Sequence, residues 1–106
     1  MINLNDMAEQ AHALAKQRGF KVDVFNALKH CAGEVVEACE ANYSVHGLQK
    51  NVATAFLTKE LGMELADIII CALTASYEAG INIEEALNEA MQKNAQRAYG
   101  GVYEEP

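Results

Sequence analysis

Proline is nearly missing from this sequence of 106 residues: the only one, Pro106, is the last residue. The body of the chain therefore lacks the residue that most strongly interrupts helices. Strand signals are almost absent as well, which excludes most sheet architectures. Basic residues are few, 8 against 15 acidic ones, for a formal charge of −7. Such a chain has no cationic footprint with which to displace counterions, so a nucleic-acid polymer or an anionic membrane surface is a poor partner. A small phosphorylated ligand stays compatible, provided that metal cations sit between its charges and those of the protein. No apolar run approaches the roughly 18 residues of a membrane span, and the first residues lack the basic and apolar segments of a signal peptide. The expectation is a cytoplasmic protein with no membrane partner. The three cysteines, Cys31, Cys39 and Cys71, form no CxxC pair and are odd in number. They read as reduced thiols, each a small buried hydrophobe on a helix.

What is present is helical periodicity. At this length one domain, residues 1–106, is expected, near the size at which partner subunits begin to matter. Glycines punctuate four helices: Gly19, Gly47, Gly80 and the pair Gly100-Gly101. The first helix is expected from about Asn5 to Arg18, capped by Asn5 or Asp6, with Met7, Ala11, Leu14 and Ala15 as its apolar stripe. Gly19 ends it. The second should run from about Val22 to Asn42 on a stripe of Val24, Leu28, Cys31, Val35 and Ala38 or Cys39. Periodicity lapses between Tyr43 and Asn51, where turn-forming residues predict the longest loop. A third helix is expected from Val52 to Ala79 around the apolar segment Leu65 to Leu73. A helix so apolar on every face belongs inside a bundle or at a subunit interface. The fourth begins after Asn82, whose spacing to Glu85 makes a variant capping box, and ends near Tyr99. The fold class is all-α, a four-helix bundle.

Two acidic pairs carry the chemical information. Glu34 and Glu37 on the second helix, like Glu64 and Asp67 on the third, are spaced i, i+3, so both carboxylates of a pair project from one side. The apolar surroundings of Glu64 and Asp67 make uncompensated charge there costly. Exposure to solvent, ion pairs, or a hard divalent ion such as Mg²⁺ would each satisfy these acids. Only Lys29 and Lys59 flank them, too few for four carboxylates. On adjacent antiparallel helices the two pairs can face one another around one small volume, as a metal cage does. Glu40 and Glu60 lie on the same stripes and read as exposed glutamates or as outer acids. His12, His30 and His46 show no ligand spacing. Phe20, Phe25 and Tyr43 read as core or as platforms for a base. Two other architectures compete: a di-iron carboxylate bundle, which wants Glu-x-x-His motifs that are absent here, and a non-enzymatic oligomerisation module whose third helix forms the interface.

Glu34-x-x-Glu37, 26 residues, then Glu64-x-x-Asp67 resembles the ExxE…ExxD signature of the MazG-like all-α nucleoside triphosphate pyrophosphohydrolases, including the small dCTP pyrophosphatases. The likeness extends to Gly33 through Ala38, to Glu64 through Ile70 and to a C-terminal helix carrying Lys93, Asn94 and Arg97, about Gly19 to Tyr99 in all. One departure is Gly33, where many members have a further acid. The resemblance implies hydrolysis of a (d)NTP to a monophosphate and pyrophosphate, for clearing noncanonical nucleotides or controlling a deoxynucleotide pool. It further implies one to three Mg²⁺ ions, with Mn²⁺ as a substitute, on Glu34, Glu37, Glu64 and Asp67. Glu34 or Glu37 would be the general base, and Lys93, Asn94 and Arg97 would contact the substrate. A homo-oligomer, dimer or tetramer, with a pocket completed by a neighbour, is implied too.

Overall fold

The computed structural model describes residues 3–47 and 54–100. Four helices, α1 (Leu4–Gln17), α2 (Val24–Gly47), α3 (Thr54–Glu78) and α4 (Ile83–Gly100), account for nearly all of them, and no strand occurs among the described residues. The all-α expectation holds. No single helix among those described is long and apolar enough to cross a membrane.

The helix ends explain where the expected boundaries move. Asn3, not Asn5 or Asp6, caps α1: its Oδ1 accepts from the amides of Asn5 and Asp6. Asn5 is engaged elsewhere. Its Nδ2 donates to Asn82 Oδ1 and its Oδ1 accepts from the Ile83 amide, while Glu84 Oε1 accepts from the Leu4 amide at 2.8 Å. The N-termini of α1 and α4 thus cap each other, with a carboxylate at the positive end of α1. Asn82 also accepts from the Glu85 amide, so the expected cap of α4 forms. Asp23 sets the start of α2 two residues later than expected, its Oδ1 accepting from the Asn26 amide at 2.8 Å. At the other end α2 continues through Gly47, so Tyr43 to Gly47 are helical and not loop. A helix already five turns long extends at small cost per residue, which outweighs the modest preference of Asn42 and Ser44 for turns. Residues 48–51 of the expected loop, residues 52 and 53 of the expected third helix, and the side chains of Tyr43 and His46 lie outside the described residues.

Gly19 and Gly80 adopt positive φ, 86° and 70°, and close α1 and α3 in the same way. The Phe20 amide reaches back to the Ala15 carbonyl and the Ile81 amide to that of Ser76. This paired-bond ending needs a left-handed residue, which glycine supplies without a Cβ clash. At Gly19 it turns Phe20 back toward α1.

The core is built on small residues. Ala8 and Ala11 of α1 meet Leu73 of α3, with Ile83 against them, and Ala27 and Ala38 are the buried positions of α2. Of the stripe expected on α1, Ala11 is buried, whereas Met7 and Leu14 are exposed and Ala8, one position away, takes the central place. On α2, Leu28 and Val35 are exposed, and the cysteines are less buried than expected: Cys31 and Cys71 half-buried, Cys39 exposed. The Thr74 and Ser76 hydroxyls, buried on α3, donate to the Ile70 and Ala72 carbonyls, so neither is unsatisfied. His12 Nε2 and Glu78 Oε1, 2.8 Å apart, close the far end of the α1–α3 seam, with the His12 ring 4.8 Å from that of Tyr77.

Candidate functional site

The long antiparallel contact of α2 with α3 places the two acidic pairs side by side. One carboxylate oxygen each from Glu34, Glu37 and Glu64 lie within 4.8 Å of one another. Glu34 and Glu64 are half-buried and Glu37 is exposed. Asp67, also half-buried, stands outside that tight group, yet its charge acts on both Glu34 and Glu64. The i, i+3 spacing thus brings all four acids to one neighbourhood.

Burial is the main cause that raises the Glu34 carboxyl above the ordinary glutamate range. A hydrogen bond with Glu37 and the charges of Glu37 and Asp67 add to it, and His30 opposes. For Glu64 burial again leads, followed by the charge of Glu37, a hydrogen bond with it, and the charges of Asp67 and Glu34. Both acids resist ionisation because like charges crowd a site from which water is partly excluded. One oxygen of each, Glu34 Oε2 and Glu64 Oε2, is shielded from solvent and has no hydrogen-bond partner. Such orphaned acceptors are costly unless something positive meets them. Among the described residues no Lys or Arg pairs with any of the four acids. Lys29 lies over the Phe25 ring at 5.4 Å and Lys59 is exposed. Glu40 and Glu60 are exposed too. A donor set made only of oxygen atoms, with two unmet lone-pair sites, fits a hard divalent cation such as Mg²⁺ or Mn²⁺. At Gly33 an added Cβ would meet nothing within 4 Å, so space for a further acid exists there.

Beside the acids opens a cavity of about 760 Å³, within the range that holds small organic ligands. Glu34 and Asp67 line it at one end. Met7, Ala11 and Leu14 of α1 and Ile70, Cys71 and Leu73 of α3 give apolar walls, with Gln10, Asn26 and Thr74 as uncharged polar groups. Phe20 lines it from the α1–α2 connection and meets the His30 ring at 5.3 Å, tilted by 52°. His30 in turn approaches Glu34, Nε2 to Oε1 3.6 Å. Burial pushes the Cys71 thiol up to about 11, so it is protonated at neutral pH and no nucleophile.

The paired acids on α2 and α3 and the helical scaffold that carries them match the model of the MazG nucleotide pyrophosphohydrolase domain over residues 8–100. The chain belongs to the MazG family. No curated protein and no solved structure matches it. The general function of the MazG family is hydrolysis of nucleotide pyrophosphate bonds, and the family typically uses a divalent metal.

Within this MazG domain the remaining candidates divide. Phe20 lies on the cavity beside the acids, whereas Phe25 is 69% exposed. Lys93, Asn94 and Arg97 are exposed on α4, Lys93 facing Glu89 at 3.8 Å. None of them is among the cavity's lining residues. α4 turns away from α3 by 118° and its few contacts are with α1, so one chain alone does not bring these three to the acids. His30 is the site residue that ligand spacing overlooked. Its signal was the i, i+4 relation to Glu34, which puts a side chain one turn nearer the cavity on the same face.

Proposed function

We propose that this MazG domain hydrolyses nucleoside triphosphates to the monophosphate and pyrophosphate, with Mg²⁺ or, in its place, Mn²⁺ held by Glu34, Glu37, Glu64 and Asp67. The observation that carries this is the pair of unmet carboxylate oxygens on Glu34 and Glu64 at the edge of a nucleotide-sized cavity. When bound, the ions supply charge neutralisation toward the polyphosphate and a water acidic enough to attack phosphorus. Glu34 and Asp67 face the cavity and orient that end of the ligand, while Glu37, exposed and with a carboxylate oxygen within 4.8 Å of those of Glu34 and Glu64, is positioned to take the proton. The apolar walls and Phe20 exclude water from the base.

The assembly we propose is a homodimer or a tetramer of such dimers. Met63, Leu65 and Ile69 on α3, Val36 on α2 and Met91 on α4 are each at least half exposed, more apolar surface than a monomer of this size ordinarily leaves uncovered. A second copy covering it would let α4 bring Lys93, Asn94 and Arg97 to a neighbour's phosphates, which unites the hydrolase reading with that of an oligomerisation module. Clearing of noncanonical nucleotides in the cytoplasm is the role that fits. The test is a panel of ribo- and deoxynucleoside triphosphates with Mg²⁺, scoring pyrophosphate against orthophosphate. Pyrophosphate as the product supports the assignment, and orthophosphate as the main product rejects the bond.

A further inference from the structure

The same cavity has a second charged end. Of the 8 basic residues in a chain of net charge −7, three, Arg18, Lys21 and Lys29, line it. Arg18 ends α1, Lys21 lies in the α1–α2 connection and Lys29 stands in the second turn of α2. At a rise of 1.5 Å per residue, Lys29 lies roughly 7.5 Å along the α2 axis from Glu34, and Arg18 and Lys21 precede that helix, so the cations occupy the stretch of wall nearer the connection. None of the three has a carboxylate within 4.0 Å among the described residues. Asp23, whose charge lies near Lys21, spends its oxygens on Asn26: Oδ1 on the amide, Oδ2 on the Nδ2 at 2.7 Å. Arg18 instead stacks over Phe20 at 4.9 Å. The series Arg18, Phe20, His30, Glu34 thus runs from cation to carboxylate through two rings in tilted contact.

A triphosphate anchored on metals at the acids would direct only its uncharged nucleoside toward the connection. Cations gathered around a neutral ring system gain little, whereas Arg and Lys at the mouth of a low-dielectric cleft hold phosphate strongly. We propose that the connection end of the cavity, formed by Arg18, Lys21 and Lys29, is a second anion subsite. It receives a further phosphate, remote from the one at the acids, of a nucleotide lying along the wall that Phe20 and His30 form. The nucleotide part of this assignment rests on the proposed function. A 3′-phosphorylated nucleotide and a dinucleoside polyphosphate share the required chemistry.

Binding in excess chelator isolates the subsite, because without divalent ions the acidic end repels phosphate. The full chain is titrated with the nucleoside 3′-monophosphates of all four bases, each against its own unphosphorylated nucleoside, at low ionic strength. For at least one base the monophosphate is expected to bind roughly tenfold tighter or more, as one charge-assisted contact to a phosphate allows. The advantage should shrink with salt. The double variant Arg18→Gln/Lys21→Gln should abolish it and Lys59→Gln, which removes a charge elsewhere on the surface, should not. Thermal melts establish that the variants are folded. Equal affinities for all four pairs, or an advantage that survives the double variant, would overturn the subsite. Displacement of the 3′-monophosphate by diadenosine tetraphosphate but not by a 5′-diphosphate 3′-diphosphate nucleotide assigns the dinucleotide source, and the reverse assigns the 3′-phosphorylated one. Pyrophosphate release without this discrimination defeats the subsite alone. Discrimination without pyrophosphate release defeats the hydrolase reading alone.

Discussion

Two stretches of α3 have fates opposite to their composition. Leu73 to Ser76, two of them hydroxyl residues, are all buried, whereas the large apolar side chains of Met63, Leu65, Ile69 and Ile70 stand 47–56% exposed earlier on the same helix. Hydropathy alone would reverse the order. What decides is the partner: small residues Ala8 and Ala11 let α1 approach Leu73 closely, while the described helices leave Ile69 56% exposed. The acids Glu64 and Asp67 sit within the open stretch, where their burial is partial and a charge is disfavoured without being excluded. A sealed segment supports the site and an open one is left for something else to cover.

The sharpest way to break this comparison is at the acids themselves. Glu37→Gln removes the group that touches both Glu34 and Glu64. Steady-state pyrophosphate release is expected to fall about 10²- to 10⁴-fold, the usual size of a lost general base, with circular dichroism unchanged. Activity within a factor of two of the parent would remove Glu37 from the chemistry. Next in size is the contrast between the two stretches. Leu73→Ala should destabilise the fold by about 2–5 kcal/mol in denaturant unfolding, the range for truncating a buried leucine. Ile69→Ser, four residues earlier, should leave the unfolding slope intact and weaken self-association instead, by the ~1.5–3 kcal/mol of one buried aliphatic side chain. Analytical ultracentrifugation reads it directly, and a parent that is monomeric at micromolar concentration would contradict the covered face.

A gentler perturbation is pH. Because the native carboxyls of Glu34 and Glu64 are held above the ordinary glutamate range, the folded protein binds more protons than the unfolded chain in that interval. Their contribution is therefore present at low pH and is lost as pH rises from the ordinary glutamate range through the raised one. In chelator the melting temperature should decline over that window, and saturating Mg²⁺ should flatten the decline. A melting curve that rises over the window in chelator would contradict the crowding of the acids. The smallest effect is expected at the end of α1, where Asn3→Ala costs about 1 kcal/mol by removing the acceptor of two amides.

The acids were legible in the sequence because their grouping depends on i, i+3 spacing along each helix and one antiparallel contact, both local properties. Gly19 and Gly80 were legible for a similar reason, since only their backbone freedom suits the turn. Less legible was everything decided by who packs on whom. Ala8 rather than Met7 takes the centre of α1 because close helix contact favours the small side chain, a fact invisible in hydropathy. His30 was passed over because ligand motifs were sought, and its proximity to Phe20 arises from the turn at Gly19. The direction of α4 could not be read at all: its residues carry a helical period but no mark of the helix they leave unvisited.

The mutual capping of α1 and α4 has a consequence for how the molecule comes together. The Leu4 amide is met by a carboxylate 80 positions later, and the Ile83 amide by an oxygen 78 positions earlier. Asn3 and Asn82 meet part of each tip, but neither rod completes its own. The Leu4 donor waits on water until the last helix arrives to clasp it, and that handshake sets the angle at which the last helix reaches outward.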